Sequence, residues 1–141
     1  MALELKKTYA TDQDKEVNGV WEDFGEGCRI LIARAGNKKY DKLFQRLVKP
    51  HRKAMRMGTL SDEVAEGIFI RTIAETIVLD WEGLEEDGVP VPYSVENAIR
   101  ILTEYEDLKK QIQEISDSIE TYRLEVLEDS EKNLETISED N

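Results

Sequence analysis

Residues 64–79 place the tightest limit on how this chain can fold. Val64, Ala65, Ile68, Phe69, Ile70, Ile73, Ala74, Ile77, Val78 and Leu79 recur so densely that, wound as a helix, they cover most of its circumference. A helix that is apolar all round has to be buried. Ser61 supplies an N-cap, and Asp62 and Glu63 fall in the first turn, where the helix dipole favours acids. The pattern predicts a helix over 62–80 at the centre of a small bundle. Gly67 costs helix stability relative to Ala, so it predicts a close crossing by another helix.

The remaining chain supplies partners for that helix. Val20-Trp21-Glu22-Asp23-Phe24 and Cys28-Arg29-Ile30-Leu31-Ile32-Ala33 flank Gly25-Glu26-Gly27, which predicts a β-hairpin over 20–33. Asn37 can cap a helix over 38–57 whose apolar stripe is Tyr40, Leu43, Phe44, Leu47 and Val48. Pro50 should kink or break it near Lys49. Met55 and Met57 extend a looser apolar face, and Gly58 is placed to end the helix. Between 82 and 93, Asp87-Gly88 marks a tight turn and Pro90 and Pro92 oppose a regular strand. Ser94 caps a helix over 95–127. Its last part carries Leu108, Ile112, Ile115, Ile119, Tyr122 and Val126 at alternating four- and three-residue steps, a narrow seam for packing on another helix.

Residues 1–16 show no period and predict a flexible arm. Residues 128–141 are acidic and poor in apolar groups, which predicts a disordered tail. The expected fold class is therefore mainly α: a small helical bundle preceded by an N-terminal β-hairpin, α+β at most. One globular domain, 17–127, holds it; a chain of 141 residues suits a single core.

Composition narrows the function classes. There is no apolar run long enough to span a membrane, and the N-terminus lacks the apolar core of a secretory signal. Cys28 is the only cysteine, so no intrachain disulfide forms, in keeping with a reducing compartment. One His and one Cys cannot build a zinc site of familiar composition, and no calcium-loop pattern is present. His51 lies among cations with no nucleophile nearby in sequence. Glu75 has Arg71 as an i−4 partner on the helix surface. Trp21 and Trp81 read as core rather than interface anchors. The residues predict no enzyme, no metal and no cofactor.

Charge is the informative anomaly. The chain carries net −12, yet residues 38–58 hold eight Lys/Arg and one acid, net +7. Lys38, Lys39, Lys42, Arg46, Lys49, Arg52, Lys53 and Arg56 fall largely opposite the apolar stripe. Three readings compete: a phosphate grip, a solvated face, or pairing with acids of this chain or another copy. Residues 58–141 carry net −17 and compete with phosphate, and no DNA-binding motif is present. Pairing with acids is the favoured reading. Candidate partner or self-association residues are Lys42, Arg46, Lys49, Arg52 and Arg56 on the basic segment, and Ile115, Ile119, Tyr122 and Val126 on the distal seam. Ordinary core packing of that seam stands as its alternative.

The strings "GVWEDFGEGCRILIARAGNKKY", "LVKPHRKAMRMGTLSDEVAEGIFIRTIAETIVLDWEGL" and "VPYSVENAIRIL" resemble the tail assembly chaperones of long-tailed, siphovirus-like bacteriophages. The resemblance spans Gly19 to Asn133. Its most recognisable pieces are Ala33-Arg34 with Asn37 and Tyr40, Arg52 with Arg56-Met57-Gly58-Thr59-Leu60-Ser61, Ala74-Glu75-Thr76 with Trp81 and Gly83, and Pro92-Tyr93-Ser94. It implies a soluble, non-catalytic helical protein of the host bacterial cytoplasm, absent from the mature virion. Such proteins coat the tape measure protein until tail tube protein polymerises around it. A coat of that kind implies a homo-oligomer and a groove for helical client segments. Two other roles stay open: a structural head–tail or tail completion protein of the virion, and a nucleic-acid-binding regulator using helix 38–57.

Overall fold

The computed structural model describes residues 1–124. Two short helices, α1 (Leu5–Tyr9) and α2 (Gln13–Asn18), precede strands β1 (Val20–Gly25) and β2 (Cys28–Ile32). Helix α3 (Lys38–Val48) passes through a 3-10 turn at Lys49–His51 into α4 (Arg52–Met57), and α5 (Asp62–Thr76) follows. Strand β3 (Val78–Glu82) and the small ribbon β4 (Glu85–Glu86) and β5 (Val89–Pro90) lead to α6 (Val95–Glu104), α7 (Glu106–Asp117) and α8 (Ile119–Tyr122).

The fold is α+β, which corrects the expectation of a mainly α bundle. Helix α5 stops at Thr76, and Val78–Glu82 pairs with the hairpin to make a three-stranded antiparallel sheet ordered β1-β2-β3. A continuous apolar run reads equally as buried helix or buried strand. Here tertiary pairing decides. Ile30 of β2 faces Trp81 and Ile32 faces Val78, while the Ala33 N–H donates to the Ile77 carbonyl at 2.8 Å. Thr76, Ile77 and Val78 are β-branched and favour that pleated surface.

Two further expectations about this segment change. The start of α5 is exposed, Val64 at 39%, so only its second half is central. Gly67 faces open space and not a crossing helix.

One sheet face, carrying Cys28, Ile30, Ile32, Val78 and Trp81, packs against Ile73, Ala98, Leu102 and Ile112 of α5, α6 and α7. Full burial of such side chains contributes about 1.5–3 kcal/mol each. Trp81 is anchored by its indole N–H on the Val91 carbonyl at 2.7 Å, and Tyr93 Oη donates to the Val78 carbonyl at 2.8 Å. Trp21, by contrast, lies on the outer face under the Arg29 guanidinium, 4.9 Å from the ring centroid, so it is not core.

The hairpin turns on Glu26-Gly27, both at positive φ, 53° and 79°. The segment expected as an arm forms α1 and α2, and its residues 10–12 meet the far end of the described chain. The Asp12 N–H donates to the Tyr122 carbonyl at 2.9 Å and the Leu124 N–H to the Ala10 carbonyl at 3.1 Å. The helix expected over 95–127 bends twice, at Tyr105 (ψ 80°) and Ser118 (ψ 121°). The expected tail over 128–141 lies outside the described residues.

Candidate functional site

The basic segment becomes a bent arm through its capping chemistry. Asn37 Oδ1 accepts from the Lys39 and Tyr40 N–H groups at 2.9 and 3.0 Å. Its amide donates to the carbonyls of Arg34 and Thr76 at 2.7 and 3.3 Å, which fixes the start of α3 to the end of α5. Leu43 and Val48 are buried, and Tyr40 stacks on Phe44 with ring centroids 6.0 Å apart. Pro50 lies in the 3-10 turn, where its missing N–H is tolerated. Gly58 ends the arm in the left-handed region (φ 67°), donating to the Ala54 and Met55 carbonyls.

Between α3 and α4 lies an apolar groove of about 550 Å³, lined by Phe44, Gln45, Val48, Arg52, Met55 and Arg56. Arg52 Nη2 donates to Gln45 Oε1 at 3.2 Å across it. Met55 and Met57 are 45% and 65% exposed. Arg52 and Arg56 line the groove, and Lys42, Arg46, Lys49 and Lys53 are exposed on the same arm. Among the described residues, none of the eight cations of 38–57 forms an ion pair. Acids elsewhere are taken by other cations: Glu82 by Arg29, Glu16 by Arg34, Glu75 by Arg71, and Glu66 by Lys109. Pairing inside one subunit therefore does not account for the basic arm within this region.

The distal seam divides. Ile115 is half-buried and packs on the core, and Ile119 is half-buried on α8. Tyr122 is completely buried, with its hydroxyl donating to the Ile32 carbonyl at 3.0 Å. Tyr122 is thus a core residue and not a surface contact, because α8 folds back onto β2. Val126 lies outside the described residues. The structure gathers Arg52 and Arg56 into one groove and sets Lys42, Arg46 and Lys49 on the same arm; it does not join them to the seam residues.

A second groove, of about 580 Å³, is acidic. Glu85, Glu86, Glu104, Glu106 and Asp107 surround Leu84, Ile101 and Leu108 there. Tyr105 Oη donates to Glu86 at 2.5 Å, and Arg100 Nη1 lies 3.1 Å from the same carboxylate. The Tyr105 hydrogen bond, then Arg100, holds the Glu86 carboxyl below its ordinary range. The same bond raises the Tyr105 hydroxyl. This network fastens the β4–β5 ribbon to α6 and keeps Glu86 ionised. Sequence reasoning missed it, since Glu86, Arg100 and Tyr105 have no shared helical face. It also missed Lys109, which is 9% exposed and contacts Glu66 from the inner side of α7.

Among the described residues, no group of His, Cys, Asp and Glu is placed to hold a metal ion, and no helix is long and apolar enough to cross a membrane. Residues 35–133 match the family model described as YdaY prophage protein. No curated protein and no solved structure matches.

Proposed function

The chain belongs to the YdaY prophage protein family and is phage-derived, and from that premise we propose that it is a non-catalytic tail assembly chaperone. In this reading it binds the tape measure protein and keeps it soluble while the tail is built. One observation carries the proposal: an apolar groove on α3–α4 lined by Arg52 and Arg56, two exposed cations that have no ion-pair partner among the described residues. Such a groove suits an amphipathic client helix that offers an apolar side chain flanked by carboxylates. The flexible thioether of Met55, in the groove lining, adapts to successive, non-identical client segments. The net charge of −12 keeps a loaded complex soluble.

Self-association of the loaded chaperone, release in favour of tail tube protein, residence in the host bacterial cytoplasm and absence from the mature virion belong to the same proposal. The test is co-expression with the tape measure protein of the same phage. The proposal expects the client in the soluble fraction only when this chain is present, and mass spectrometry of purified virions lacking the chain. A stoichiometric amount in virions would replace it with a structural tail role.

The arm's cations, which form no ion pair among the described residues, also favour one second reading, contact with nucleic acid. That reading requires DNA affinity at about 0.15 M salt which falls steeply as salt is added.

A further inference from the structure

We propose that α1 of one copy docks in the acidic groove beside the β4–β5 ribbon of a second copy, joining chains head to tail. This contact gives the self-association within the chaperone reading its two surfaces. It rests on that reading for its purpose alone and leaves the α3–α4 groove free.

One half of the contact is an apolar helix without a cover. Helix α1 buries none of its residues. Leu5 and Tyr9, four residues apart, share one face of it, and Leu3 precedes them. The three are 68%, 57% and 63% exposed. Large apolar side chains grouped in this way mark an interaction surface. Lys6 and Lys7 stand beside them, exposed and without an ion pair among the described residues.

The other half is a groove of matching character. Leu84, Ile101 and Leu108 give it an apolar lining, and no Lys or Arg is part of that lining. Of its acids, Glu85, Glu106 and Asp107 form no ion pair among the described residues. A second cleft of about 480 Å³ adjoins it and shares Leu84, Glu85 and Leu108. Together they have room for α1, whose five residues make a helix about 7.5 Å long. The basic α3–α4 arm is a poorer filler. Its large exposed apolar side chains are Met55 and Met57, and Met55 lines the arm's own groove. The arm brings charge with little free apolar surface; α1 brings both.

Position excludes docking within one chain. Residues 10–12, which follow α1, are held at Tyr122 and Leu124, and Tyr122 bonds to Ile32, the last residue of β2. The groove lies at the opposite end of α7, at Glu106 and Asp107. The adjoining cleft includes Cys28, the first residue of β2. The 12 residues of α7 separate the two ends by about 18 Å, more than α1 bridges. A groove at one end and its filler at the other make a heterologous contact, which repeats from chain to chain. A helix this short covers far less than the roughly 1,200 Å² of a stable interface, so each contact is weak and shows at high chain concentration.

The test uses the full chain without client. Sedimentation equilibrium follows the mean mass as concentration rises to ~1 mM, and circular dichroism reports folding. The parent should gain mass with concentration, less so as salt rises from about 0.05 to 0.5 M. Leu5→Asp with Tyr9→Asp, and separately Glu85→Lys with Asp107→Lys, should each weaken association by roughly tenfold or more while the fold is kept. Mixed together, the two double variants should form a heterodimer and stop there, since each keeps one working half. A parent that stays monomeric, a double variant that associates like the parent, or a mixture that stays monomeric overturns the proposal. So does association that survives Leu5→Asp with Tyr9→Asp but is lost on Lys42→Glu, Arg46→Glu and Lys49→Glu, which gives the groove to the basic arm. Intact association with no client captured sinks the client reading alone; client captured by a monomeric parent sinks this contact alone.

Discussion

Tyr122 is completely buried, and its hydroxyl reaches a carbonyl of the central strand from the last described helix. Its place on an amphipathic stripe is legible in the sequence. Which surface that stripe meets is not, because the partner, Ile32, lies 90 residues away. Lys109 is a harder case: a lysine beside the seam reads as solvated, and only the fold brings Glu66 to it. Replacing Tyr122 with Phe leaves the Ile32 carbonyl without its donor, a loss of about 1–3 kcal/mol. Thermal melting should fall by several degrees. Burial also raises the Tyr122 hydroxyl above its ordinary value. Its sign follows from proton linkage: above pH ~10 the unfolded chain ionises the phenol while the folded chain keeps it neutral, so the folded state loses stability as pH rises. The Phe variant should therefore lose less stability between pH 9 and 11 than the parent. Burial raises Tyr40 and Tyr93 as well, so part of the alkaline loss should survive. A variant with an unchanged melting temperature and an unchanged alkaline slope would contradict this account.

At the scale of elements, the hairpin, the Pro50 break and the Ser61 and Ser94 caps were legible because each depends on neighbours in sequence. Strand β3 was not. Ile77-Val78-Leu79 continues the apolar pattern of α5, and the choice between helix and strand falls to β2, whose open edge accepts the pairing. Gly83 marks the end of β3 more sharply than any side chain does. Its φ is +69°, and a Cβ there would overlap the Gly27 carbonyl. Gly67 has a free surface around it on an exposed helical turn. The two glycines should respond in opposite directions. Gly83→Ala should destabilise by at least ~1–3 kcal/mol through backbone strain and the clash. Gly67→Ala should stabilise by roughly 0.5–1 kcal/mol through helix propensity. Urea unfolding of both variants checks the pair, and equal effects of one sign would refute the placement of β3 against the hairpin turn.

Across the whole molecule, the segregation of charge is written in the sequence, but the identity of the pairing acids is not. The fold settles part of that question. Arg29, Arg34, Arg71, Arg100 and Lys109 take nearby acids, while the α3–α4 arm points its cations at solvent. A face of this kind contributes little to the subunit's own stability, since even formed surface ion pairs are worth only about 0–1 kcal/mol each. Lys42→Glu, Arg46→Glu and Lys49→Glu together should therefore leave the melting temperature within a few degrees of the parent. The like charges they remove from one short arm offset part of any loss. Function should respond differently. Under the proposed chaperone role, carboxylate-bearing client helices meet a reversed field, so capture of the tape measure protein should collapse, and capture by the parent should weaken as salt screens the arm over about 8–10 Å. Melting by circular dichroism, set beside co-purification of the client at two salt concentrations, reads both. If the triple variant unfolds many degrees early, the cations pair inside the fold; if it melts normally and still captures client, the arm is a solvated face and the client binds elsewhere.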